Sequence, residues 1–305
     1  MENSSQIKNE AKKPERRRLT KKEKRIIKVF SIILAALLFI TVWIAIANKA
    51  LTVTSFTVDG DNIPSVFDGY RIAHVSDLHN TKIGKDNSRL LTKIKNAKPD
   101  IIAITGDLID SRNTNVEISL AFVSEAIKIA PCYYVPGNHE SRTDEYENLK
   151  AGLISLGVAV LENKSASIYK NGEYINIFGV NDPAFYKKTI SKDEKRVMRS
   201  LLDAHLTSNG QFTLMLSHRP ELFEIYTEYP VDLVLSGHAH GGQFRLPFIG
   251  GLYAPEQGAF PKYDAGLFEK DGTSMIVSRG IGNSSFPFRL NNNPELIIIE
   301  LHSTK

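Results

Sequence analysis

The chain has one cysteine, Cys132, in 305 residues. No intramolecular disulfide can form, and zinc fingers and thiolate clusters are excluded because they need several cysteines. A metal held by this chain must use His, Asp, Glu or Asn. An excess of basic over acidic residues is confined to the N-terminus. Residues 1–28 carry eleven Lys/Arg against four Glu, a net +7, which leaves a net −3 for residues 48–305. Such a body lacks the clustered Lys/Arg that neutralise duplex phosphates, so no nucleic-acid partner is expected. Hydrophobic residues make up 42% and charged residues 24%, which excludes wholesale disorder and collagen-like structure.

One stretch lacks charge, Pro and Gly altogether. Val29 to Ala47 reads VFSIILAALLFITVWIAIA, nineteen residues. As a helix it reaches about 28 Å, close to a bilayer's hydrocarbon thickness. Arg16, Arg17, Arg18, Lys21, Lys22, Lys24, Arg25 and Lys28 precede it, and only Lys49 follows closely. The positive-inside rule then places the N-terminus in the cytoplasm and the rest outside, as a single-pass protein of the cell membrane. A cleaved export signal is the alternative, since Ala45-Ile46-Ala47 fits a cleavage site. The run exceeds the usual apolar signal core of about 7–15 residues, which favours an uncleaved anchor.

Beyond Tyr70 short apolar runs alternate with helical periodicity, the mark of βαβ units in a helix-covered sheet. Strands are expected at Leu51–Val58, Arg71–Val75, Ile101–Thr105, Cys132–Val135, Phe212–Leu216 and Leu233–Leu235. A hairpin is expected around Asn171-Gly172. Met275–Ser278 and Leu296–Leu301 are expected to close the sheet. Helices are expected over Ser88–Ala97, Val116–Ile129 and Tyr146–Leu156, from a Ser191 cap to about Leu206, and from Pro220 to about Tyr229.

Asp, His and Asn gather just past five of these strands: Asp77-Leu-His79, Gly106-Asp107-Leu-Ile-Asp110, Gly137-Asn138-His139-Glu140, Ser217-His218 and Gly237-His238-Ala-His240. Ligands of open α/β sheets bind beyond the carboxyl ends of the strands. Burying so many polar groups is costly unless a cation pairs them. Carboxylate, imidazole and amide oxygen suit Mn, Fe, Zn or Mg. On an extended segment residues two apart face one side, so Asp77 with His79, and His238 with His240, are expected to grip one ion each. Each segment alone is a weak signal; the ordered set of five is a strong one.

Together DLH, GDLID, GNHE, SH and GHAH resemble the calcineurin-like metallophosphoesterases over about residues 70–300. With the preceding apolar run and GHAHGGQFRLPF, the chain is similar to the bacterial membrane-anchored branch of that family. The resemblance implies an α/β fold, a four-layer α/β/β/α sandwich, after one N-terminal transmembrane helix. It divides the chain into a basic cytoplasmic tail (1–28), a transmembrane helix (29–47), a linker with the first strand (48–69) and a metallophosphoesterase domain (70–305). It implies two divalent metal ions, Mn, Fe or Zn before Mg. Asp77, His79 and His240 would hold one, Asn138, His218 and His238 the other, and Asp107 would bridge them. His139 would face the leaving group as proton donor or electrostatic stabiliser, oriented by Asp110. The implied reaction is hydrolysis of a phosphomonoester, phosphodiester or pyrophosphate by metal-activated hydroxide, on a substrate that could be lipid-linked or part of the cell envelope. Here GDLIDSR and VPGNHE depart from the protein Ser/Thr phosphatase pattern GDxxDRG and LRGNHE, so the arginine clamp of that relative is missing. The alternative reading is a catalytically silent, receptor-like metal-binding protein on the same fold.

Other features have simpler readings. Alternation puts His74 on the opposite face from Asp77 and His79, so it is expected to be buried and not a ligand. His205 and His302 are expected in solvent, and Cys132 in the core. Residues 244–288, rich in Gly, Pro and aromatics, read either as an apolar rim for a lipid-like substrate or as a loop packed on itself.

Deleting residues 1–47 is expected to leave a soluble, active domain, since every motif lies beyond Tyr70. In intact cells the wild-type domain should be digested by added protease. Resistance there, with digestion after lysis, would reverse the topology.

Overall fold

The computed structural model describes residues 19–48, 50–283 and 286–305. The remainder of the basic tail (residues 1–18) and Lys49 lie outside the described residues. Two compact units are present, one ending at Trp43 and one running Ile44–Lys305.

The first unit holds most of helix α1 (Lys21–Ala47). It begins eight residues before the uncharged run, because Thr20 and Glu23 form a reciprocal cap. The Glu23 amide donates to Thr20 Oγ1 (3.2 Å) and the Thr20 amide to Glu23 Oε2 (2.8 Å). Lys21–Ile44 is long and apolar enough to cross a membrane, and its large apolar side chains are exposed.

The second unit is built on two six-stranded sheets. The first orders β1 (Thr52–Gly60), β12 (Glu295–Ser303), β2 (Tyr70–Val75), β3 (Ile101–Thr105), β4 (Cys132–Val135) and β5 (Ala159–Val160) side by side. The second orders β10 (Gly266–Lys270), β11 (Thr273–Val277), β9 (Leu233–Ser236), β8 (Thr213–Leu216), β7 (Glu173–Gly179) and β6 (Lys164–Lys170). Strands β2 to β5 run parallel, as do β7, β8, β9 and β11. The two strands expected to close one sheet therefore lie in different sheets. β12 slots between β1 and β2, pairing with β1 from Thr52↔Glu295 to Gly60↔Ser303, so residues 52–60 are part of the domain's sheet.

Alternation along the strands builds the layers. Ile101 and Ala103 of β3 face Leu214, Leu216, Leu233 and Leu235 of the other sheet. Ile102 and Ile104 face the opposite way, onto helices α2 (Ser88–Ala97), α3 (Val116–Ala126) and α4 (Tyr146–Ser155). Met215 and Val234 face α5 (Glu194–His205) and α6 (Phe223–Tyr226). The result is the four-layer α/β/β/α sandwich. Asn171 and Gly172 turn the β6–β7 hairpin, with φ of 49° and 90°. Helix α3 stops at Ala126 and not Ile129; the Ile129 and Ala130 amides both turn back to the Ala126 carbonyl ahead of Pro131. Asp193 caps α5 in place of Ser191, accepting from Lys195 and Arg196 amides. The Pro220 segment forms a short 3-10 turn before α6.

Leu214 is fully buried between the sheets. Leu214→Ala is expected to cost about 2–5 kcal/mol, read as a lower urea midpoint at unchanged slope. A loss well under this range would mean that the inner layer collapses around the gap.

Candidate metal centre

The strands deliver their carboxyl ends to one place. β2, β3 and β4 of the first sheet are followed by Asp77/His79, Asp107 and Asn138/His139; β8 and β9 of the second by His218 and His238/His240. Two glycines allow the loops to touch. A Cβ on Gly137 would lie 2.3 Å from Asp107 Oδ1, and one on Gly237 would lie 2.3 Å from Asp77 Oδ2. Asp77 Oδ1 and Oδ2 both accept from the His238 amide (3.1 Å each), tying the second sheet to the first. Asp107 Oδ1 accepts from the His139 amide (2.9 Å).

The backbone here is not extended. Asp77, His79, Asp107, His238 and His240 have φ between 45° and 65°, the left-handed region that side chains rarely adopt. Asp77 and His79 do share one group, as their spacing suggested, but His238 and His240 do not. Asp77, His79 and His240 come together, whereas His238 joins Asp107 and His218. The chain turns sharply at each of these residues, so His238 and His240 separate.

The tautomers of His218 and His238 follow from what each ring faces. His218 Nδ1 lies 2.7 Å from the Thr105 carbonyl, which only accepts, so Nδ1 carries the proton. His238 Nε2 lies 2.7 Å from Glu256 Oε2, so it carries the proton there. The lone pairs of His218 Nε2 and His238 Nδ1 are then left facing each other at 3.2 Å. Asp107 Oδ2 adds a third acceptor 3.2 Å from His218 Nε2. On the other side His79 Nε2 lies 3.2 Å from His240 Nε2, 3.5 Å from Asp107 Oδ2 and 3.9 Å from Asp77 Oδ1. Asp77 Oδ1 is 3.3 Å from His240 Nε2. Asn138 Oδ1 is buried with no hydrogen-bond partner among the described residues. Acceptors converging in a buried space repel unless positive charge sits among them. The charge balance shows the same demand. Burial works against a charged His218, yet the carboxylates of Asp107, Asp77 and Asp182 outweigh it and hold its pKa up at about 10, so where no other cation sits there His218 itself becomes the positive charge by taking a proton on Nε2. His79 and His240 are pushed down by burial. The donor set fits divalent cations, with Asp107 Oδ2 common to both groups.

His139 is differently held. Its Nδ1 accepts from the Ser111 amide (3.1 Å) and lies 3.4 Å from Asp110 Oδ1. Asp110 is itself held by Arg112, whose Nε and guanidinium nitrogen reach its two oxygens at 2.9 and 2.6 Å. Burial raises the Asp110 carboxyl, but the Arg112 hydrogen bonds prevail and bring it to about 2. His139 is pushed down to about 4, first by burial.

Several supporting residues escaped the sequence reading. Glu140, fully buried, accepts from the amides of Gly137 (2.8 Å), Asp107 (2.9 Å) and Ile109 (3.2 Å), bracing two loops. It stands inside the GNHE segment, where a carboxylate beside Gly-Asn-His was the available signal. Arg219, also fully buried, is forked onto Asp182 (2.5 and 3.0 Å) and lies 3.4 Å from Glu256. Arg289 reaches His240 Nδ1 at 3.3 Å. Asp182, Glu256 and Arg289 are remote in sequence from the motifs they support and gave no local signal. His74 is buried with Nε2 2.8 Å from Thr105 Oγ1, His205 and His302 are exposed, and Cys132 is buried.

A sandwich that gathers buried imidazoles and carboxylates at the meeting edges of two sheets defines a metal-dependent phosphoesterase. Residues 70–242 match the calcineurin-like phosphoesterase family model, and the chain belongs to that family. It is 31% identical over 263 residues to the uncharacterized metallophosphoesterase YkuE of Bacillus subtilis, covering 82% of this chain and 85% of that one. Identity to the phosphodiesterase YaeI of Escherichia coli is 28%, covering 76% and 82%. A Danio rerio protein named transmembrane protein with metallophosphoesterase domain is 25% identical, covering 79% of this chain and 55% of its own.

Glu256→Gln removes the charge that receives His238 Nε2–H. Such outer partners are typically worth about 10–100-fold in metal affinity. Competition with a chelator should show a loss of that order; undiminished affinity would mean that Glu256 serves Arg219 alone.

Proposed function

We propose that this chain is a membrane-tethered phosphoesterase working outside the cytoplasm with two divalent cations. The observation that carries the reading is the shared carboxylate: Asp107 Oδ2 stands 3.2 Å from His218 Nε2 and 3.5 Å from His79 Nε2, between two imidazole groups. Asp77, His79 and His240 would hold one cation, and Asn138, His218 and His238 the other. Mn, Fe or Zn fit the mixed nitrogen and oxygen donors, and Mg fits the oxygen-rich portion. Two such cations supply Lewis acidity, neutralising phosphoryl oxygens and acidifying water. The basic flank of α1 supports an N-terminus in the cytoplasm. The phosphodiesterase name of the YaeI relative supports a diester, with monoesters and pyrophosphates the neighbouring chemistries. The exposed aromatics of residues 244–288 support a lipid-linked or envelope substrate.

The chain's own contribution beyond ligation centres on His139. Because the Ser111 amide donates to Nδ1, the neutral ring carries its proton on Nε2, 4.0 Å from Asp107 Oδ2. From there Nε2–H donates to a departing oxygen. Full proton transfer calls on the imidazolium form, whose Nδ1–H has Asp110 Oδ1 3.4 Å away. Asp110, stiffened by Arg112, would act as a positioning residue in that imidazolium form and not in the neutral one, where Nδ1 accepts from Ser111.

The test compares His139→Ala on two esters with added Mn. General-acid assistance is worth about 10²–10⁴-fold. An alkyl phosphodiester should lose that much kcat, while a nitrophenyl ester, whose leaving group needs no proton, should lose little. Metal content should stay unchanged. Equal losses on both esters would assign His139 to phosphate binding, and loss of metal would make it a ligand.

A further inference from the structure

Past the His240 turn the chain carries large apolar side chains that are partly or fully exposed. The chain leaves the His240 turn and forms a small ribbon. Arg245–Leu246 pairs with Gly250–Gly251, and Tyr253–Ala254 with Gly258–Ala259. The Leu252 amide donates to the Phe244 carbonyl (2.8 Å), and the Phe260 amide to the Leu252 carbonyl (2.9 Å), joining the two hairpins. Phe244 bridges to Leu290, and its ring lies 5.2 and 5.5 Å from those of Phe286 and Phe288. Gln243 Nε2 donates to the Phe288 carbonyl (2.8 Å), fastening this segment beside the metal site. The ribbon presents Leu246, Phe248, Ile249, Phe260, Phe286 and Phe288 outward, and Phe248 is fully exposed. A concentration of large apolar side chains at one place marks a surface that meets a partner.

The point where the chain enters the domain says which partner. Asn48, just past α1, grips the backbone of Arg289 from both sides. Its Nδ2 donates to the Arg289 carbonyl (2.9 Å), and its Oδ1 accepts from the Arg289 amide (2.7 Å). The same Nδ2 donates to the Ile44 carbonyl (2.7 Å), so the last turn of α1 is tied to the residue that follows Phe288. The exit from the apolar helix is therefore hydrogen-bonded to the segment that carries Phe286 and Phe288, whose rings pack on Phe244 at the start of the ribbon. If α1 is an anchor, its end lies at the bilayer surface, and the Phe286–Phe288 segment tied to Asn48 lies there with it.

We propose that residues 244–260 and 286–288 form a membrane-docking surface that dips into the lipid interface next to the anchor. Aromatic side chains favour that boundary. The proposal rests on reading α1 as an anchor. Docking would hold the metal centre at the level of the headgroups and let a membrane-embedded phosphoester reach it without leaving the bilayer.

The chain's single cysteine makes the test clean. Cys132 is buried, and burial pushes its thiol up to about 12, so a fluorophore attaches only to an introduced cysteine. Full-length Phe248→Cys and Phe260→Cys, labelled with an environment-sensitive dye, are reconstituted in phosphatidylethanolamine/phosphatidylglycerol vesicles. Tyr169→Cys is the control. It is exposed beside the turn that precedes β7, at the end of the second sheet opposite the metal centre. Both ribbon labels should shift to the blue, resist iodide and be quenched by spin-labelled lipid, and the control should show none of this. Ribbon labels that match the control would overturn the proposal. So would a blue shift without quenching by spin-labelled lipid, since that would place the ribbon against a second copy or another protein. The readout is optical, so a failure of the hydrolytic reading would leave it unaffected.

Discussion

Everything in the second unit depends on one electrostatic constraint: buried acceptors gathered around Asp107. Two pairs of imidazole nitrogens face each other at 3.2 Å, and one carboxylate oxygen lies within reach of both pairs. Such an arrangement is unfavourable in a dry interior unless positive charge occupies it. The fold bears the strain of assembling it. Five of the residues concerned adopt left-handed backbone, and Gly137 and Gly237 stand where a Cβ would collide with the carboxylates.

The sandwich explains how the strain is tolerated. Parallel strands in both sheets end at the same edge, so five loops are anchored at their bases by largely buried strands. Glu140 then ties the loops after β3 and β4 through three amides. The Arg219–Asp182 pair stands behind His238 in the second sheet. A buried ion pair of this kind contributes little net stability compared with apolar packing. Its value here is in direction: Arg219, forked onto Asp182, lies beside Glu256, whose carboxylate accepts from the outer nitrogen of His238, so the inner nitrogen of that ring faces the centre.

The same logic separates His139 from the other histidines. It lies on the same loop as Asn138, yet its Nδ1 is taken by a backbone amide, which fixes the proton on Nε2. His218 and His238 offer lone pairs and His139 offers a proton within one site because their outer partners differ: a carbonyl for His218, a carboxylate for His238 and an N–H for His139.

Local chemistry alone made much of this legible. Ile101–Thr105, Cys132–Val135 and Ser88–Ala97 match their expected bounds, because an apolar run or a helical period, closed by turn residues, leaves few alternatives. The five polar segments were visible because polar residues directly after apolar strands are conspicuous. The grouping of the histidines was not derivable from spacing. It depends on left-handed turns whose cost is borne by distant contacts. Nor could the sequence show that Met275 and Leu296 belong to different sheets, or that Glu256 would lie against His238 and Asn48 against Arg289. Those pairings join residues from 18 to 241 positions apart. Hydrophobic periodicity specifies which face of a strand is buried, whereas the packing of two sheets decides which loops meet.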